Sequence, residues 1–142
     1  MIAVKTIKIK PVSVKSLIKK FDRIFSEYIR LRDADSNGYI RCISCGKLIH
    51  WKEADAGHYV NRKHMSLRFD EKNVNAQCRA CNRFDEGNMM GYNRGLIKKY
   101  GSDVIQYFEM KKGNISKMGV FEYQILIAEY QNKVKKLKEK WN

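Results

Sequence analysis

Asp55 and His58 stand in the stretch WKEADAGHYVNRKH (51–64), inside a loop that two CxxC pairs would close. The pairs, Cys42–Cys45 and Cys78–Cys81, are separated by 32 residues, a spacing that suits one tetrahedral zinc on four thiolates. Such a knot staples a fold and needs neither Asp55 nor His58. Hydrolysis of a phosphodiester would use both. Water must be deprotonated near neutral pH, for which imidazole is the natural base. A divalent cation must polarise the phosphate and stabilise the leaving oxygen, and hard cations such as Mg²⁺ or Mn²⁺ take carboxylate and amide oxygens. Asn82 directly follows Cys81, so the knot would pin it where it could join Asp55 and His58 at one metal. These residues also have plainer uses. Asp55 can cap a turn, and Asn82 can cap the helix after the second pair. Asn73 and Asn75 can tie a loop to the backbone. Gly57 implies tight backbone geometry beside His58. His50 and His64 read as surface or core-edge residues.

The elements around this loop must position it. After a basic, β-prone lead (2–10) and Pro11, apolar residues recur at helical spacing with Ser13 as N-cap. Leu17, Phe21, Ile24, Tyr28 and Leu31 form the stripe, and Ile18, Phe25 and Ile29 widen it. Residues 35–38, DSNG, form a turn, and 39–43 is strand-like. Residues 54–60 fit part of a β-hairpin, and 70–75 reads as loop. A helix is expected from Asn82, interrupted near Gly87 and Gly91. Another runs from about Asn93 to Gly101, and Ser102 caps a third. The last helix carries Leu126, Tyr130, Val134, Leu137 and Trp141 on one stripe. That stripe must be buried, either against helix 14–31 or against a second copy.

Twenty-nine Lys and Arg face fifteen Asp and Glu, a formal charge of +14. Such a surplus favours a polyanionic partner through counterion release. A membrane surface is the weakest polyanion here, since no single long amphipathic basic helix dominates. With 142 residues one domain is expected. No apolar run approaches spanning length and the first residues lack a signal core, so the expected location is cytoplasmic. Arg62 and Lys63 follow His58 closely enough to meet a phosphate being cut. Arg68, Arg79 and Arg83 could grip flanking phosphates without reading bases. Three classes compete: a metal-dependent nuclease, a non-catalytic zinc module that holds nucleic acid, and a zinc-stapled recombination adaptor. Only the first gives the Asp55–His58 loop a task.

CISCG, DAGHYVNRKH, LRFDEKNVNAQCRACN and EGNMMGYNRGLIKKYG, in that order, resemble the NinG (Rap) family of lambdoid phage recombination endonucleases. IFSEYIRLRDADSNGYIRCISCGK extends the likeness to roughly residues 14–101. That family in turn resembles the HNH treble-clef nucleases. The resemblance implies an α+β fold: a zinc-stapled, HNH-like ββα-metal core over 39–100, a helix over 14–32 and a helical region over 102–141, together a single nuclease domain spanning 1–142. It implies structural zinc on Cys42, Cys45, Cys78 and Cys81, a catalytic Mg²⁺ or Mn²⁺, His58 as general base, and Asn82 as ligand of that second metal. Asp55 is the expected acidic ligand. Many HNH enzymes carry an acidic residue or histidine just before the catalytic histidine, where this chain has Gly57. Two registers are therefore open: His58 as base with Asp55 on the metal, or both on the metal with the base supplied elsewhere. His64, Glu53 and Glu71 are reserves, Asn88 competes with Asn82, and His64 or Asn73 is available to orient the site. The implied substrate is branched DNA, Holliday junctions and D-loops, in the host bacterial cytoplasm. Symmetric resolution of a junction suits a homodimer, with the C-terminal helix as its interface.

Overall fold

Helix α1 (Val14–Asp33) starts where Ser13 accepts a hydrogen bond from the Ser16 amide at 3.1 Å, filling one of the orphan donors of the first turn. The computed structural model describes residues 2–8 and 10–141; Met1, Ile9 and Asn142, the ends of the expected domain and one residue of its lead, lie outside them. The expected stripe is present, but its centre is rotated. Leu17, Phe21, Phe25, Ile29 and Leu31 are buried, while Ile18, Ile24 and Tyr28 flank them half-buried. Residues 2–8 form no strand, contrary to their β-prone composition, and Ile2, Val4 and Ile7 are exposed. A strand needs a ladder partner, and 2–8 pairs with neither of the two-stranded sheets of the described residues.

The first pair is β1 (Tyr39–Arg41) with β2 (Leu48–His50), antiparallel, joined across the first CxxC. The turn before it is built by Asp35, whose carboxylate accepts from the Asn37 and Tyr39 amides. A single 3₁₀ turn, Trp51–Glu53, leads into β3 (Ala54–His58). Its partner is no local hairpin strand. It is β4 (Val74–Cys78), in the register Ala54 opposite Cys78 and His58 opposite Val74. The expected loop over 70–75 is therefore a strand from Val74 onward, and all of β4 is buried. Between the two strands lies the short helix α2 (Met65–Arg68).

Cys78 ends β4, and Ala80–Phe84 makes one wide helical turn that stops at Asp85, so the helix expected from Asn82 begins earlier and is short. Helix α3 (Met89–Tyr100) then starts at Met89, capped by Asn88 and four residues before the expected Asn93, and runs straight through Gly91 and Gly95. These glycines do not break it because α3 lies against the first knuckle. A Cβ on Gly95 would meet the Ile43 carbonyl oxygen at 1.9 Å, and one on Gly91 the Ser44 carbonyl oxygen at 2.2 Å. Helix α4 (Val104–Lys112) is flanked by Asp103, and not by the expected cap Ser102.

Helix α5 (Val120–Glu139) buries Tyr123, Ile127, Tyr130 and Val134. Tyr123, Ile127 and Tyr130 join Leu17, Phe21, Phe25, Ile29 and Val74 in one core, with Phe69 wedged at 4.3 Å from Phe21 ring to ring. The C-terminal stripe is thus taken up by α1 within the chain. A dimer through this helix would have to use its outward side, where Phe121 and Ile125 are exposed. Glu71 fastens the same seam, accepting from the Tyr28 and Tyr130 hydroxyls at 2.6 and 3.0 Å. The result is a small α+β structure with two two-stranded antiparallel sheets, α1 lying across β3 and β4, and α5 clasping α1. No helix among the described residues is long and apolar enough to cross a membrane.

Candidate metal centre and histidine cleft

The ligand atoms of Cys42, Cys45, Cys78 and Cys81 all lie within 4.8 Å of one another, and the four residues form no disulfide. Cys45 and Cys78 Sγ are 3.8 Å apart, as thiolates about 2.3 Å from a shared tetrahedral zinc would be. Two N–H groups already face the sulfurs: Cys81 N to Cys78 Sγ and Asn88 Nδ2 to Cys81 Sγ, both 3.4 Å. The donor set and its spacing fit a structural zinc. Asn88 also caps α3 from a left-handed backbone conformation, so its side chain serves the knuckle and the helix start.

β3 presents the remaining candidates. Strand side chains alternate between faces, so Asp55 and Gly57 share one face and Ala56 and His58 the other. His58, Ala56, Val74 and Asn82 line a cleft of about 380 Å³ with Asp22, Ser26, Asn61 and Arg62. The Arg68 carbonyl accepts from His58 Nε2 at 2.9 Å, which places the proton on Nε2 and leaves the Nδ1 lone pair free. Burial is the main cause that holds the imidazole below its usual 6.5. The Arg68 guanidinium is in turn anchored on Asp22 of α1, Nε to Oδ1 at 2.9 Å. Arg68 and Asp22 therefore position the histidine, a role that sequence spacing does not reveal.

Asp55 reaches the other side of Asn82. Its Oδ2 accepts from Asn82 Nδ2 at 3.0 Å, and Arg83 holds both its oxygens at 2.8 Å. Burial pushes the Asp55 carboxyl up, but the bonds from Arg83 and Asn82 outweigh it and keep it below the usual carboxylate range. Asn82 is thus common to the Asp55 face and the His58 cleft, and Cys81 fixes its backbone. Of the expected phosphate contacts, Arg62, Lys63 and Arg79 are exposed and carry no ion pair among the described residues. Arg68 and Arg83 are committed to Asp22 and Asp55.

The reserves have other duties. Glu71 ties α1 to α5, Glu53 is exposed in the 3₁₀ turn, His50 accepts from the Lys52 amide, and His64 precedes α2 without a capping bond. Asn75 accepts from Arg32 and Lys99 and donates to the Lys72 carbonyl. Asn73 is fully buried and ties the loop after His58: it accepts from the Val60 amide at 2.8 Å and donates to the Val60 and Leu67 carbonyls at 3.0 Å. Asn73→Ala would strand those backbone groups and should destabilise the protein by about 3 kcal/mol, read from urea unfolding. A loss under about 1 kcal/mol would mean that the loop is held by other contacts.

Fold and site together define a small, strongly basic α+β protein with a four-thiolate cluster suited to zinc and a histidine cleft beside it. The family model described as "NinG: Bacteriophage Lambda NinG protein" matches residues 2–140, and the chain belongs to that family. It is 36% identical to Protein ninG of Escherichia phage 933W over 122 residues, 85% of this chain and 58% of that protein. It is 35% identical to Protein ninG of Escherichia phage lambda over 122 residues, 85% of this chain and 57% of that protein. With Protein ninG of Salmonella phage P22 the identity is 35% over 123 residues, 86% of this chain and 58% of that protein. The chain therefore spans little more than half the length of these relatives. No solved structure matches it.

Proposed function

We propose that the chain is a divalent-metal-dependent endonuclease of branched DNA acting in phage recombination, with an HNH-like core. The observation that carries this reading is the arrangement around Asn82: an oriented, half-buried His58 on one side and an ionised Asp55 on the other, both on β3, whose partner β4 ends in the thiolate cluster. Of the two registers, this one favours His58 as base with Asp55 and Asn82 as ligands of Mg²⁺ or Mn²⁺. When bound, that cation supplies charge stabilisation at the scissile phosphate and the leaving oxygen. His58 Nδ1 takes the proton of the attacking water, while Nε2 stays on the Arg68 carbonyl and keeps the ring aimed. Asn82 Nδ2 is spent on Asp55, which leaves Oδ1, beside Gly57, as its ligand atom. Arg83, half exposed, pairs with the Asp55 carboxylate that would hold the cation and lies within reach of a DNA phosphate there. Arg62, Lys63 and Arg79 neutralise the flanking backbone, which suits recognition of shape over sequence. Two copies would make the paired cuts of symmetric resolution, meeting through the outward side of α5.

The test is cleavage of a labelled four-way junction by the zinc-loaded protein in Mg²⁺, Mn²⁺ or EDTA, against linear duplex of the same strands. Cuts near the branch that need the divalent ion support the reading. Binding without cutting in either metal would replace it with the non-catalytic zinc module.

The pH profile adds a second check. A base works deprotonated, so the rate rises with pH and levels off above the pKa of His58. Because burial lowers that pKa, the rising limb should be centred below 6.5, with a plateau through neutral pH. A limb centred above about 7 would assign the base to another group.

A further inference from the structure

Gln77 is fully buried in β4, and its Oε1 is a buried side-chain acceptor without a partner. The amide cannot be turned to relieve this. Its Nε2 donates to the Gly87 carbonyl at 2.6 Å, which accepts only, and to Ser44 Oγ at 2.8 Å. Oε1 is thereby held toward Gly57, opposite which the strand pairing sets Asn75, with Gln77 facing Asp55 on the same side of the sheet. A Cβ on Gly57 would lie 1.9 Å from Gln77 Oε1 and 3.1 Å from Asn82 Oδ1. Two acceptor oxygens, each fixed by a committed amide nitrogen, therefore lie beside Gly57, with Gln77 Oε1 standing where a side chain at 57 would. The Asp55 carboxylate adjoins them through Asn82 Nδ2 at 3.0 Å. Three oxygens of this kind are what a hard divalent cation takes, with water and phosphate completing its shell.

We propose that Gln77 Oε1 is a third protein ligand of the divalent cation, beside Asp55 and Asn82, and that glycine at 57 is what leaves room for that oxygen next to them. The inference rests on the metal-dependent reading above and adds a ligand that comes from the strand interior, not from the loop. It also explains Gly57 beside the candidate base: a side chain there would displace Gln77 Oε1.

The test is direct binding of Mn²⁺ to the zinc-loaded full chain, followed by loss of the free-ion EPR signal. The unmodified protein should bind one Mn²⁺. Gln77→Leu, which removes the oxygen, and Gly57→Ala, whose methyl would push it out of place, should each weaken binding about 10- to 100-fold. Zinc content and thermal unfolding report whether each variant is folded. For the unmodified chain, the ¹³Cδ resonance of Gln77 should shift on saturation with Mg²⁺, so the assignment does not depend on any variant folding. An unshifted Gln77 resonance, or unchanged Mn²⁺ affinity in folded Gln77→Leu alongside loss in Asp55→Ala, overturns the Gln77 ligand and leaves the nuclease reading standing. Absence of Mn²⁺ binding to the unmodified protein overturns both.

Discussion

His58→Ala should lower junction cleavage by about 10²- to 10⁴-fold, the range for removing a positioned general base. Affinity for the junction should stay within a few-fold, because phosphate contacts supply binding and Arg62, Lys63 and Arg79 are untouched. The ring contributes one side-chain hydrogen bond, to the Arg68 carbonyl, and its loss should cost about 1 kcal/mol, leaving the variant folded. The measurement is single-turnover cleavage beside a gel-shift titration and a thermal scan. Cleavage that survives His58→Ala but disappears in Asp55→Ala would keep the enzyme and move the base elsewhere. A loss of binding that parallels the loss of cutting would make His58 a contact residue.

Removing zinc should have the largest effect on the fold itself. Structural zinc on thiolates contributes about 10–16 kcal/mol at neutral pH, comparable with the whole stability of an ordinary domain. Here the cluster joins the β1–β2 turn to the end of β4 and sits against the start of α3, so it holds both sheets in place. Stripping the metal with a strong chelator, or Cys78→Ser, should abolish the cooperative thermal transition and with it cleavage. Stoichiometric Zn²⁺ should restore both in the chelated protein. A zinc-free chain that melts cooperatively at an unchanged temperature would show that the helical core stands without the knot.

Periodicity and cysteine spacing alone were enough for the helix over 14–32 with its Ser13 cap, one residue short of the observed end, and for four thiolates that meet. Both are local or covalently short-ranged: a stripe repeats every turn, and a CxxC pair can hardly avoid presenting two sulfurs together. Residue type also limits which groups could act as base or hard-metal ligand, and of the expected Asp55, His58 and Asn82 the fold sets Asn82 beside each of the other two. The strand β4 was not. Asp70–Asn75 reads as a polar loop because Asn73, Asn75 and Gln77 mask the alternation, and only burial with partners for their amides makes a strand of them.

Long-range pairing decided the rest. β4 lies opposite β3 across α2, and side chains alternate along β3, so Asp55 and His58 stand on opposite faces. The pairing also brings Gln77 to Gly57, the Arg68 carbonyl to His58, and Asp22 to Arg68. α5 chooses α1 over a second copy for its buried stripe, because the aromatic face of Phe21 and Phe25 is already there to receive Tyr130. Sequence by itself determined which groups have the chemistry of a base, a hard-metal ligand and a zinc thiolate. Tertiary structure decided which of them face one another, since contacts between residues far apart in the chain depend on strand register and helix packing, and neither leaves a periodic trace.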